Sequence, residues 1–130
     1  MQDKAVRILL IEDNSGDALL FSEMLSEFGG RYVVTRADRL ATALELTEKN
    51  SFDLVVMDLN LPDSNGIDSI ETVRKKLSLP VMILTGLFDE KMAAGAIAKG
   101  AGAFIAKGPV EAGELDARIR ECLEKHNRPP

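Results

Sequence analysis

Cysteine, tryptophan and tyrosine are scarce in this chain: it holds one cysteine, Cys122, no tryptophan and one tyrosine, Tyr32. A lone cysteine closes no internal disulfide and builds no zinc finger. A cystine-stapled secreted scaffold is therefore excluded, and a reducing, cytoplasmic setting is expected. So few large aromatics leave little for a base-stacking platform. Basic residues are in deficit, with 16 Lys and Arg against 21 Asp and Glu and a formal net charge of −5. Neutralising a phosphate backbone needs clustered cations, so no direct nucleic-acid partner is expected. No apolar run approaches the ~18 residues of a spanning helix. Met1-Gln2-Asp3-Lys4 also lacks the basic start and apolar stretch of a signal peptide, so no membrane partner is expected. There is no internal repeat, low-complexity tract or internal linker.

What is present suits one globular domain: 130 residues, 45% apolar and 28% charged. A chain of this size buries roughly two-thirds of its unfolded surface, enough for a core without metal or disulfide help. Short apolar runs read as strands buried on both faces: Arg7–Ile11, Asp53–Met57, Pro80–Leu84 and Ala103–Ala106, with the more alternating Arg31–Thr35 as a fifth. Helical spacing lies between them. Leu20, Met24, Leu25 and Phe28 mark the first buried face, ended by Gly29-Gly30. Leu40, Ala43, Leu44 and Thr47 mark the second, and Ile67, Ile70, Val73 and Leu77 the third. Met92, Ala93, Ala96 and Ile97 mark the fourth, and Leu115, Ile119, Cys122 and Leu123 the fifth. Five β-α repeats with right-handed crossovers predict a doubly wound α/β domain: a five-stranded parallel sheet in flavodoxin-like order 2-1-3-4-5, flanked by five helices. The expected domain is 1–126, with 127–130 a tail or linker start carrying Pro129-Pro130.

In such sheets ligands bind at the carboxyl ends of the strands. Those ends carry Glu12-Asp13 (first strand), Asp58 (third), Thr85 (fourth) and Lys107 (fifth). Three carboxylates in one pocket repel, and a hard divalent cation such as Mg2+, which prefers oxygen ligands, removes the conflict. Lys107 adds a compact positive charge on a flexible stem, and Thr85 a hydroxyl donor. Together they describe a phosphoryl-transfer pocket in which a carboxylate can hold a phosphoryl group as an aspartyl-phosphate.

These residues resemble the response-regulator receiver domains of two-component signalling. The similarity runs roughly from Arg7 to Leu123. It rests on Leu10-Ile11-Glu12-Asp13-Asn14, on Asp58-Leu59-Asn60-Leu61-Pro62 with Gly66, on Leu84-Thr85-Gly86 and on Gly102-Ala103-Phe104-Ile105-Ala106-Lys107. The resemblance implies that Asp58 accepts a phosphoryl group from a sensor histidine kinase or phosphotransfer protein. Asp13 would hold Mg2+ directly, Glu12 partly through water, and the Asn60 carbonyl would be a further ligand beside Asp58. Thr85 and Lys107 would bind the phosphoryl oxygens, and Thr85 with Phe104 would form the switch. The surface of the fourth helix, fifth strand and fifth helix would then meet an output protein or output domain. Slow hydrolysis of the aspartyl-phosphate, tuned at Asn60 and Leu87, is implied, and so is pairing into a homodimer through that surface as an open alternative. Three positions depart from the family's usual pattern: Lys107-Gly108-Pro109 delays the proline by one residue, Gly86 stands where alanine is frequent, and Phe104 lacks a tyrosine hydroxyl.

Plainer readings stand beside these. Asp63-Ser64-Asn65 can simply cap the third helix, His126 reads as solvated, and Cys122 reads as an inert core thiol. A phosphatase would need an acid where Asn60 stands. A flavin domain would need a Ser/Thr/Gly-rich loop where Glu12-Asp13-Asn14-Ser15-Gly16-Asp17 is acidic. A module that binds partners without phosphorylation is the remaining alternative. The fourth helix, with Gly95 inside it and few large side chains, is expected to shift most easily.

Overall fold

Parallel strands that feed helices on both sides must be apolar on both faces, and the runs at 8–11, 54–57 and 81–85 are buried throughout, while the outer run at 32–37 is partly exposed. The computed structural model describes residues 4–64, 66–86, 90–108 and 110–127. In chain order the elements are β1 (Val6–Ile11), α1 (Ser15–Ser26), β2 (Tyr32–Ala37), α2 (Leu40–Lys49), β3 (Leu54–Met57), α3 (Asp68–Leu77), β4 (Val81–Thr85), α4 (Glu90–Ala98), β5 (Ala103–Ala106) and α5 (Ala112–Asn127). The sheet order is β2-β1-β3-β4-β5 and every pair is parallel. This is the expected doubly wound, flavodoxin-like architecture. Asn65, Leu87, Pro109 and Pro129-Pro130, which carry expectations above, lie outside the described residues.

Alternation along each strand splits the core into two layers. Ile8, Leu10, Val56 and Met82 face α1 and α5, where they meet Phe21, Leu25, Leu115, Ile119 and Cys122. Leu9, Ile11, Val55, Met57 and Ile83 face the other side, with Ala43 of α2, Ile70 and Val73 of α3 and Ala96 of α4. Cys122 is fully buried, as its place on the apolar face of α5 implied.

Strand boundaries shift by one or two residues, most at β2, and two helix faces differ from the sequence expectation. β2 begins at Tyr32 and runs on to Ala37, because its ladder with β1 carries through to the Ile11–Ala37 pair. In α1 the buried residues are Ala18, Phe21 and Leu25, while Leu20 is 51% exposed. Apolar residues at 18 to 21 surround much of that helix, so spacing alone did not choose the face. Ile97 of α4 is likewise exposed, and only Ala96 of that helix is buried.

Helix ends are tied by long-range contacts. Asp63 was expected to cap α3, but it caps α2 instead. Its two carboxylate oxygens accept the N–H groups of Leu40 and Ala41 at 2.9 and 3.0 Å, while Arg39, the residue at the cap position, makes no side-chain bond. Although partial burial works against it, those two amides hold the Asp63 carboxyl below its ordinary range. On α5, Asp116 accepts from the Tyr32 hydroxyl, from Arg31 Nη1 at 3.3 Å and from Arg120 Nε at 3.1 Å, which clasps α5 to the start of β2. Phe28 packs edge-on against the Tyr32 ring at 6.1 Å between centroids. The turn from α4 to β5 is held from below: Arg74 Nη1 donates to the Gly100 carbonyl at 2.6 Å and Lys125 Nζ to that of Gly102 at 3.4 Å.

Two predictions follow from this packing. Burial first, and then the Asp116 carboxylate, push the Tyr32 phenol up from 10.0 to about 12. The fold therefore favours the neutral phenol. Its contribution to stability is complete below pH ~10 and is lost as pH rises through ~12. Tyr32 is the chain's one tyrosine, so ultraviolet titration should place phenolate formation near 12 in the native protein, nearer 10 in denaturant, and in between for Asp116→Asn. The second concerns Gly102, where an added Cβ would stand 2.5 Å from the buried Cys122 Sγ. Gly102→Ala should cost about 1–3 kcal/mol in urea unfolding, and Cys122→Ala in the same chain, which removes the clashing sulfur, should recover part of it.

Candidate functional site

The sheet ladder continues one residue past three of the strands, and this aims the site. Glu12 N–H donates to the Ala37 carbonyl at 2.9 Å, Asp58 N–H to Ile11 at 3.1 Å and Lys107 N–H to Thr85 at 2.6 Å. Glu12, Asp58 and Lys107 are thereby fixed side by side at the upper rim. Asp58 is 5% exposed. Its Oδ1 accepts the Asn60 N–H at 2.9 Å and its Oδ2 accepts from Lys107 Nζ at 2.7 Å. Glu12 is 1% exposed, and its Oε1 accepts the Asn14 N–H at 3.0 Å. Its Oε2 lies 2.5 Å from Lys107 Nζ, an ion contact without hydrogen-bond alignment, so that this buried oxygen has no hydrogen-bond donor among the described residues.

Charge and burial pull against each other here. Burial pushes the Glu12 carboxyl above its ordinary value and the Asp58 charge adds to that, while Lys107 and the Asn14 amide draw it back. For Lys107 burial disfavours the charge, but Asp58, Glu12 and Asp17 outweigh it and hold the ammonium well above the usual lysine range. Lys107 is therefore a fixed cation in a nest of acids.

The donor set also suits a hard cation. One oxygen from each of Glu12, Asp13 and Asp58 lies within 4.8 Å of the others. Asp13 is exposed and the other two are buried. All three offer carboxylate oxygens, the ligand type that a hard cation prefers. The cluster can hold a metal.

Of the remaining expected residues, Asn60 is exposed and touches Asp58 through its N–H. Thr85 is buried at the end of β4. Phe104, in register with Ile83, is half-buried against the layer that contains Ala96. A methyl on Gly86 would meet nothing within 4 Å, so alanine would fit there. His126 is exposed, as expected.

Two residues at the site escaped the sequence reading. Asp17, on the first turn of α1, accepts from Lys107 Nζ at 2.9 Å. Arg36, near the end of β2, donates to the carbonyls of Glu12 at 2.9 Å and Asp13 at 3.1 Å and so braces the acidic loop. Neither is marked by spacing along the chain. Beside Lys107 a groove of about 380 Å³ opens between α1 and the start of α5, with Leu20, Phe21, Met24 and Val110 in its wall.

The fold and the cluster of acids and lysine at its strand ends define a doubly wound domain with a charged site at the carboxyl rim, and comparison with known proteins gives its family. Residues 8–120 match the family model described as the response regulator receiver domain, and the chain belongs to that family. It is 35% identical over 121 residues to the cell cycle transcriptional regulator CtrA of Caulobacter vibrioides, covering 92% of this chain and 51% of that protein. It is 32% identical over 120 residues to the KDP operon transcriptional regulatory protein KdpE of Escherichia coli, covering 92% and 52% respectively. The chain thus spans about half the length of these curated relatives. Among solved structures, a response regulator receiver domain protein from Clostridium thermocellum superposes with a TM-score of 0.78 at 30% identity, covering 92% of this chain and 95% of that one. A CheY-like receiver domain protein from Methanospirillum hungatei gives 0.78 at 27% identity, covering 95% and 97%. In the described residues no helix is long and apolar enough to cross a membrane.

One prediction tests the charge balance. Lys107→Met leaves Glu12 and Asp58 buried without their counter-ion and should lower stability by about 3 kcal/mol in urea unfolding. Added magnesium should restore a substantial part of that loss, since a ligand of the folded state stabilises it by mass action.

Proposed function

We propose that Asp58 is the phosphoacceptor of a two-component response regulator. The carrying observation is the setting of Asp58: a nearly buried carboxylate with one oxygen on the Asn60 N–H and the other on the Lys107 ammonium, beside a cluster suited to a hard cation. A carboxylate oxygen of Asp58 attacks the phosphorus of a phosphohistidine on a sensor kinase or phosphotransfer protein. The phosphorus–nitrogen bond breaks, its electron pair stays on the imidazole, and the imidazole takes a proton from water. Glu12, Asp13 and Asp58, with the Asn60 carbonyl as a further ligand, would hold Mg2+, which would supply the charge neutralisation this needs. Lys107 holds a second phosphoryl oxygen and Thr85 donates its hydroxyl to another.

The relatives are named as transcriptional regulators, which supports an output domain or output protein as the receiver of the signal. Thr85 and Phe104 lie on the neighbouring strands β4 and β5, so a shift of Thr85 towards the phosphoryl group is felt at Phe104 and on the surface formed by α4, β5 and α5. With Ala96 as its one buried residue, α4 is the lightest-anchored helix on that surface.

The test is intact-mass measurement after incubation with magnesium and a small-molecule phosphodonor. Wild type should gain one phosphoryl group and Asp58→Asn none. Gain in both would place the nucleophile elsewhere. Gain in neither, with magnesium bound, would favour a binding module that works without phosphorylation.

A further inference from the structure

Asp17 stands apart from the other acids of the pocket. It sits on the first turn of α1, not at a strand end, and its side chain is 41% exposed where that of Glu12 is 1%. Asn14 caps α1 by accepting the Asp17 N–H at 2.9 Å. An acid at that third helical position ordinarily reaches back to the N–H of the cap residue, the reciprocal half of a capping box. Here Glu12 Oε1 already takes the Asn14 N–H, at 3.0 Å. The Asp17 carboxylate turns away from its own helix and meets the Lys107 ammonium.

Lys107 therefore has partners of two kinds. Glu12 and Asp58 belong to the three-carboxylate cluster that suits a divalent cation, and Asp17 does not. A cation entering that cluster competes with the ammonium for Glu12 Oε2 and Asp58 Oδ2, the oxygens on which Lys107 now rests. Two positive ions on the same buried oxygens repel strongly where the dielectric is low. A lysine driven off without a new partner loses its pairing, which weakens the incoming cation by the same amount. Asp17 is already bonded to Nζ on the solvent side of the pocket. A flexible four-carbon stem lets the ammonium lean towards it without moving the backbone.

We propose that Asp17 is a positioning residue for the cation site, receiving the Lys107 ammonium as a divalent cation displaces it from Glu12 and Asp58. This role rests on the cation-dependent phosphoacceptor reading above. It makes part of the cation affinity depend on Asp17 through Lys107 alone. It also keeps the ammonium at the wall of the pocket, one small swing from Asp58.

The test is a double-mutant cycle read as magnesium affinity, by calorimetry at fixed ionic strength, on wild type, Asp17→Asn, Lys107→Ala and the double variant. Asp17→Asn should weaken magnesium about tenfold in wild type, because the Asp17–Lys107 bond, present before the cation enters, strengthens as the ammonium loses Glu12 and Asp58. In the Lys107→Ala background the same change should weaken it only about twofold, the remainder from long-range charge. A factor as large or larger without Lys107 would mean that Asp17 acts on the cation directly, and the proposal fails. No effect in either background also defeats it. Absence of magnesium binding to wild type would overturn the underlying reading of the pocket and this role with it. Lys107→Ala removes a buried counter-ion and can unfold the chain, so a crystal structure of magnesium-loaded wild type supplies the second check. The expected result is Nζ hydrogen-bonded to Asp17 and withdrawn from Glu12. An ammonium still seated on Glu12, with metal in the cluster, overturns the proposal.

Discussion

The ammonium of Lys107 reconciles a conflict that the fold itself creates. A parallel sheet buried on both faces can place polar groups only at its rims, and the carboxyl rim gathers acids from β1 and β3 within a few ångströms. Two of those acids are almost sealed from water, where an uncompensated charge is expensive. One cation contacts Glu12, Asp17 and Asp58 together and so ties the ends of β1, β3 and β5 to the first turn of α1. The arrangement of the pocket and the stability of the fold share the same nitrogen, and the pocket cannot be altered at that position without being felt in the fold.

Much of this was legible in the order of residues. Continuous apolar runs ending in Glu12, Asp58, Thr85 and Lys107 announced both the parallel sheet and its charged rim, because a strand buried on both faces has no other place for a charge. The two-layer core followed from alternation along β1 and β3. What spacing did not settle was orientation and partnership. With apolar residues at 18 to 21, α1 offered several faces, and docking against α5 selected Phe21 and left Leu20 outside. Asp63 lies a few residues from α3, yet it satisfies the amides of α2, since proximity in the folded chain decides which helix end a carboxylate serves.

Asp17 and Arg36 show the same limit at the site. Each lies in a stretch with an ordinary local explanation, an acid in a first helical turn and a basic residue near a strand end. Their partners are distant along the chain. Asp17 meets Lys107 while Glu12 takes the Asn14 amide, and Arg36 finds the Glu12 and Asp13 carbonyls where β2 pairs with β1 in that register. Such residues emerge from the assembled loop and not from a motif.

Arg36 has a consequence beyond the acidic loop. β2 is an outer strand, and Val33 on it is 47% exposed. An uncovered outer strand with an apolar side chain invites another chain to add to the sheet, and proteins resist this by setting charge along the edge. Arg31 just before β2 and Arg36 within it are both exposed, and the Arg36 guanidinium donates to two carbonyls of the loop after β1. The brace of the acidic loop thus also places a fixed positive charge on the outer strand.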